Sequence, residues 1–218
     1  MTTAEAYGRV RVRILILVGD EVADRTVPTC PGWTIKDVVA HLASFFAVYR
    51  SGDPREVFSP GWGDRAVEER RKLSLQDCIA EWDAHVADSG DLFESPLGTV
   101  AVSDALAHEQ DIRTALNQPG FRDDESIVPS VERGLEFVDQ KAGAEGSPAL
   151  RIVTEDIDRL VGQGEPAVTL RTTTYELFRA IHGRRTVDQV RAMEWSGDPG
   201  RWASDLFIFG PAERTVEE

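Results

Sequence analysis

Three residues in one stretch of this chain carry side chains suited to holding a metal ion. Asp104, His108 and Asp111 are separated by four and three positions. On a helix turning about 100° per residue, that spacing puts all three within about 60° of one another on one face. A further imidazole, His41, lies three residues after Val38 and four before Phe45, at the margin of another helical apolar stripe. A lone histidine in such a place is more often a satisfied core residue than a ligand. Paired with a carboxylate-and-imidazole face, it becomes one corner of a three-ligand site for a divalent ion, with positions left open for water or substrate. Histidine, aspartate and water donors suit zinc first, with nickel or another first-row metal as alternatives. Plainer roles also fit: Asp104 follows Ser103 and could favour a helix N-terminus, and Asp111 could pair with Arg113 or Arg133.

Other reactive residue types are sparse. Cys30 and Cys78 are too few for a disulfide framework and have no CxxC spacing, so both read as structural or spectator thiols. His85 reads as exposed, and His182, beside Gly183, reads as a helix C-terminal residue complementing the dipole. Arg179, Arg184 and Arg185 form a basic knot in an acidic chain. They read either as a carboxylate clamp or as ion-pair partners of neighbours such as Glu176 and Asp188.

These side chains need helices to position them. Val10, Ile14, Leu17, Val18 and Val22 recur at spacings of three and four, predicting a helix from Ala4 to about Asp24. Pro28, Pro31 and Gly32 form a turn into Thr34-Ile35-Lys36-Asp37, a capping-box pattern opening a helix over about 35–50. Asp53 to Asp64, with two prolines and two glycines, reads as a long loop. Ser74-Leu75-Gln76-Asp77 repeats the cap and opens a helix over about 75–94, which Pro96 and Gly98 terminate. A fourth helix is then expected from Ser103 to Leu116, completing a four-helix bundle with its site between facing helices. Ile127 to Ala142 reads as a fifth helix. Beyond it, 149–153 and 167–172 are β-prone and read as a hairpin-like start of an α+β part, followed by short helices over Thr174–Ile181 and Val187–Met193. The expected architecture is mainly α with a smaller α+β part: a bundle over 1–146 and a small α+β domain over 147–218.

The 218 residues are 41% hydrophobic and 28% charged, within the globular class. A net charge of −14 and a pI near 4.7 repel phosphate backbones and anionic headgroups, which argues against nucleic acid and membrane surfaces as partners. The apolar run Ile14–Val18 is far too short to span a bilayer and precedes no small-residue cleavage site, so a cytoplasmic protein, monomer or homodimer, is expected.

The run from Val27 to Leu42, VPTCPGWTIKDVVAHL, resembles the entry to the second helix in the mycothiol-dependent maleylpyruvate isomerase group. Asp104 to Arg113, DALAHEQDIR, is similar to a later motif of that group. Phe178 to Arg185, with Trp195 to Pro199, looks like its C-terminal segment. The resemblance implies a DinB-like metal-binding bundle with His41 and His108 as ligands and the acid at Asp104. The group's best-defined members have glutamate and a longer preceding helix there. A helix starting at Ser103 would leave Asp111 or water to replace Asp104, or Asp111 to orient His108 from behind. Trp33 and Trp195 fall inside the motifs and read as packing residues.

The resemblance further implies mycothiol, a low-molecular-weight thiol, as cosubstrate, and an isomerase or S-transferase acting on a small electrophilic substrate. A carboxylate on that substrate would fall to Arg184, the residue after Gly183 in the family-like segment. Two alternatives stand beside this reading. One is a noncatalytic metal- or ligand-binding or regulatory protein of the same fold. The other is metal-assisted hydrolysis with Asp111 or Glu109 as base, although Glu109 lies about 140° from Asp104 around the helix.

Overall fold

Thr2 caps the first helix through a capping box with Glu5, and Val10 and Ile14 turn inward from it. This helix, α1, spans Thr3–Leu17. It stops seven residues short of the expected Asp24, because Gly19 and Asp20 begin a turn in which Val22 N–H bonds to the Gly19 carbonyl at 3.0 Å. The structure, a computed structural model, describes residues 1–218.

The capping boxes at Thr34–Asp37 and Ser74–Asp77 form as their spacing predicts, opening α2 (Ile35–Ser51) and, after α3 (Trp62–Arg70), α4 (Leu75–Ala87). The segment 53–64 is not one long loop. Pro54–Phe58 makes a 3₁₀ turn, and Gly61, at φ 68°, turns the chain into α3. The expected helix over 75–94 is divided into α4 and α5 (Gly90–Phe93).

The largest departure concerns α6. It runs from Pro96 to Leu116 rather than beginning at Ser103, with Ser95 as its N-cap. Pro96 occupies the first turn, where its missing N–H costs nothing. A Cβ on Gly98 would lie 2.9 Å from the Phe93 Cα, so this glycine lets the short α5 pack closely on α6. Pro96 and Gly98 therefore begin the helix instead of ending the preceding one.

Contacts divide the chain into two compact units, Met1–Gly120 and Phe121–Glu218. In the first, α1 packs on α6, and α2 packs on α3, α4 and α6. The long helices α1, α2, α4 and α6 make the expected bundle. Its interior includes Tyr7, whose hydroxyl accepts from the Trp82 indole at 2.7 Å and whose ring meets Phe46 edge-on with centroids 5.0 Å apart. About 100° around α6 from His108, the wholly buried Glu109 is held by Arg13 and Arg113.

The second unit begins before residue 147, because α7 (Ile127–Ala144) packs on α8 (Thr174–Ile181) and on β2 (Asp158–Val161). Gly134 allows that approach: a Cβ there would stand 2.7 Å from the Ile181 Cγ2. Strand β1 (Pro148–Val153) pairs antiparallel with β2 and parallel with β3 (Gln163–Arg171), and β4 (Glu194–Trp195) flanks β3 in the order β2-β1-β3-β4. The expected hairpin of 149–153 with 167–172 is thus a parallel pair. Gly162, at φ 85° and within 3.2 Å of the Ser147 and Pro148 carbonyls at its Cβ position, carries the chain across the start of β1. Helices α9 (Val187–Arg191) and α10 (Trp202–Asp205) complete the unit. The architecture is mainly α with a smaller α+β part, and no helix is long and apolar enough to cross a membrane.

Candidate metal centre

The residues that precede α2 build one wall of the site. Pro31 and Gly32 occupy the central positions of a turn closed by Trp33 N–H on the Cys30 carbonyl at 3.0 Å, with Gly32 at φ 84°, the arrangement of a type II turn. A Thr26–Thr34 bridge and a 2.9 Å bond from Val27 N–H to the Trp33 carbonyl close this loop at its base. It presents Cys30 and Trp33 to the helix pair α2 and α6.

His41 on α2 and His108 on α6 are both buried, with ring centroids 4.9 Å apart. The Asp104 carboxylate faces both: Oδ2 lies 3.3 Å from His41 Nε2, and Oδ1 lies 3.6 Å from His108 Nε2. Tetrahedral bonds of about 2.0–2.1 Å place neighbouring ligand atoms about 3.3 Å apart, so this spacing fits first-row coordination. Asp104 sits in the third turn of α6, well inside the helix, and its carboxylate is 27% exposed. That exposure leaves the group reachable from solvent while the two imidazoles are enclosed.

Asp111, wholly buried, stands behind His108, with Oδ2 3.0 Å from Nδ1. His108 therefore has a carboxylate at each ring nitrogen. A neutral imidazole has only one N–H, so one lone pair faces negative oxygen unless the ring is protonated or a cation lies between. A divalent cation among His41 Nε2, His108 Nε2 and Asp104 would meet that requirement, with Asp111 fixing the tautomer from behind. His41 Nδ1, buried without a hydrogen-bond partner, leaves that ring held chiefly by its neighbours.

Those neighbours are aromatic. The Trp33 and Trp62 rings each lie 5.0 Å from His41, and Trp33 stacks on His108 at 5.9 Å with an interplanar angle of 20°. Trp33 is fixed by its indole N–H, which donates to Asp64 on α3 at 2.9 Å. Gly63 allows α3 to approach, since a Cβ there would meet the Trp33 ring at 3.2 Å. The packing role expected for Trp33 is thus exercised against the site itself. Trp62 opens α3 within a stretch whose prolines and glycines read as loop, so no helical spacing marks it in the sequence.

Cys30, which reads from the sequence as a structural or spectator thiol, also touches the site. Its thiol donates to Asp111 Oδ2 at 3.3 Å, and Sγ is 3.9 Å from His108 Nδ1. Cys30, His108 and Asp111 form a second group of potential ligands, but all three are buried. Catalytic metal sites keep an open position, which favours the group containing Asp104. Cys78 is remote from this chemistry, and burial pushes its thiol pKa up. Glu109, considered as a base, is committed to two guanidiniums.

In the second unit the arginines have separate fates. Arg179 and Arg185 are buried and paired with Glu218, and Arg185 also grips Glu176 at 2.7 and 2.8 Å. The ion-pair reading holds for Arg185, with Glu176 as foreseen and Glu218 unforeseen. Arg184 is half-buried on the loop after α8, donating to the His182 carbonyl. His182 caps α8, its Nδ1 2.8 Å from the Phe178 carbonyl, and His85 lies half-buried 3.5 Å from Glu81. Trp195 donates to the Val190 carbonyl at 2.9 Å, a packing role.

Residues 12–95 match the family model described as the mycothiol maleylpyruvate isomerase N-terminal domain. That span contains His41, Trp33, Trp62 and Cys30. Two solved structures share features with this chain: a mycothiol-dependent maleylpyruvate isomerase, at 16% identity and a TM-score of 0.49, and a mutant of it, at 15% and 0.48. Each alignment covers 84% of this chain and 90% of the other. No curated protein matches the sequence.

Proposed function

We propose that this chain, whose segment 12–95 belongs to the mycothiol maleylpyruvate isomerase N-terminal domain family, is a divalent-metal-dependent enzyme. It uses a low-molecular-weight thiol, mycothiol by the family's description, either to isomerise a small electrophilic substrate or to transfer the thiol sulfur to it. The observation that carries the reading is the convergence of His41 Nε2, His108 Nε2 and the Asp104 carboxylate within ligand distance of one another. These three residues would hold the metal, zinc first by their donor chemistry and nickel as alternative.

The ion would lower the pKa of a thiol bound to it, as it does that of water, making thiolate available at neutral pH. The chain's own residues do the rest. Asp111 holds the His108 tautomer, Trp33 and Trp62 fix the His41 ring and keep water from it, and Asp104 marks the accessible side. Thiolate addition to a conjugated acid forms a C–S bond and turns the double bond into a single one. Rotation and elimination then break that bond and return the thiolate, so no proton or electron is consumed overall. With a leaving group on carbon, thiolate attack at that carbon forms the C–S bond while the leaving group departs with its bonding electron pair, giving S-transfer. Arg184, the residue after Gly183 in the segment that resembles the family's C-terminal part, is the candidate partner of a substrate carboxylate.

Metal content measured by mass spectrometry, on protein purified without chelator or histidine tag, tests the reading, followed by turnover with mycothiol, glutathione, bacillithiol or no thiol. About one zinc or nickel per chain is expected, with turnover only when thiol is present. A metal content of zero after incubation with divalent ions overturns the metal site, and thiol-independent turnover overturns the thiol assignment in favour of hydrolysis. The noncatalytic alternative rests on a late start of α6 and on aspartate in place of glutamate at 104; the N-cap at Ser95 takes away the first ground and leaves the second.

A further inference from the structure

The two nitrogens of His108 face different sets of donors. Nε2 looks toward Asp104 Oδ1 at 3.6 Å, whereas Nδ1 has Asp111 Oδ2 at 3.0 Å and the Cys30 sulfur at 3.9 Å. Cys30 Sγ and Asp111 Oδ2 are themselves 3.3 Å apart. A tetrahedral ion with bonds of about 2.3 Å to sulfur and about 2.0–2.1 Å to nitrogen and oxygen has edges that match this triangle within about 0.4 Å.

The corners of the triangle are fixed by the backbone. His108 and Asp111 are one turn apart on α6, so the helix sets their separation. Cys30 sits in the loop before α2, where its N–H bonds the Val27 carbonyl and its carbonyl accepts from Trp33 N–H, both at 3.0 Å. All three side chains are buried. Closure disfavours a catalytic ion, which needs an open position, and suits an ion held by protein donors. A divalent cation there would meet one thiolate, one carboxylate and one neutral imidazole. The cluster then carries no net charge, the condition that burial imposes. Its sulfur donor selects a thiophilic ion such as zinc or cadmium over magnesium or calcium.

We propose that Cys30, Asp111 and the Nδ1 of His108 form a second, closed site for a thiophilic divalent cation, whose occupation excludes an ion from the open site. On binding, the Cys30 S–H bond breaks, its proton passes to solvent and its electron pair forms the bond to the ion. His108 offers the Nδ1 lone pair and carries its one proton on Nε2, facing Asp104. A neutral imidazole has a single lone pair, so the ring serves one site at a time. The exclusion rests on reading His41, Asp104 and His108 as the open site; the closed site does not.

Cadmium titration of the metal-stripped full chain, followed by the ultraviolet thiolate-to-cadmium charge-transfer band, tests this. The band should saturate at about one cadmium per chain in the parent, in Cys78→Ser and in His41→Ala, which removes only the open site. It should be absent in Cys30→Ser. Cys78→Ser leaves Cys30 as the only thiol and carries the test by itself where the Cys30 variant does not fold. A band that survives in Cys30→Ser, that vanishes in Cys78→Ser or His41→Ala, or that fails to form while cadmium binds overturns the closed site. Cadmium added to zinc-loaded parent should release zinc in step with growth of the band. Zinc retained at full band intensity overturns the exclusion, and absence of zinc from the loaded parent at the outset counts against the open site alone.

Discussion

Asp111 Oδ2 stands 3.0 Å from the Nδ1 of His108, one helical turn further along α6 and wholly enclosed. The thiol of Cys30 donates to the same oxygen. Both contacts hold the His108 ring with its Nε2 toward Asp104. Asp111→Asn keeps the shape but removes the charge that favours Nδ1–H. We expect metal affinity to fall about 10–100-fold, the usual cost of losing an outer partner, with helical content unchanged by circular dichroism. Chelator competition reads the affinity, and an unchanged value would show that Asp111 does not support the site.

Trp33 and Trp62 give a direct optical test of where a metal sits, because each ring lies 5.0 Å from His41. Nickel or cobalt bound among His41, Asp104 and His108 should quench their emission. Loss of quenching is expected in His108→Ala and most of the loss in a Trp33→Phe, Trp62→Phe double variant. Full quenching in the double variant would move the ion away from this site.

The polar signals with a spacing of three or four were legible in the sequence, because one helical turn brings such residues together wherever the helix packs. The Thr34–Asp37 and Ser74–Asp77 boxes and the Asp104, His108, Asp111 face all rest on that rule. The beginning of α6 was not legible: Pro96 and Gly98 punctuate a chain in either direction, and only the packing of Gly98 against Phe93 decides which. The Cys30–Asp111 contact joins residues 81 apart, and the Arg179–Glu218 contact residues 39 apart. No local pattern encodes such distances. The parallel pairing of β1 with β3 depends on Gly162 crossing the start of β1, a tertiary fact hidden behind an ordinary turn residue.

Glu109 is a structural acid, and its removal should show in stability before anything else. It accepts from Arg13 at 2.7–3.0 Å and from Arg113 at 2.8–2.9 Å, joining α1 to α6 with no exposure of its own. Glu109→Ala leaves two largely buried guanidiniums without their carboxylate. The expected loss is about 3–5 kcal/mol, measured by urea unfolding, with metal content per folded chain preserved. A loss below about 1 kcal/mol would mean that water or other acids take over the two arginines.

Glu176 gives the acid-side pH dependence of the second unit. The hydrogen bond from Arg185 is the main cause that holds its carboxyl below the ordinary value of 4.5, against an opposing contribution from burial. Between the lowered folded value and 4.5, the unfolded chain binds more protons than the folded one, so stability rises with pH across that interval. The contribution is fully present above 4.5 and is lost as pH falls through the folded value. Urea midpoints measured downward from neutral pH should therefore decline more steeply in the parent than in Glu176→Gln, which begins less stable at neutrality. Parallel declines would mean that the Arg185–Glu176 pair contributes nothing to the difference between folded and unfolded protonation.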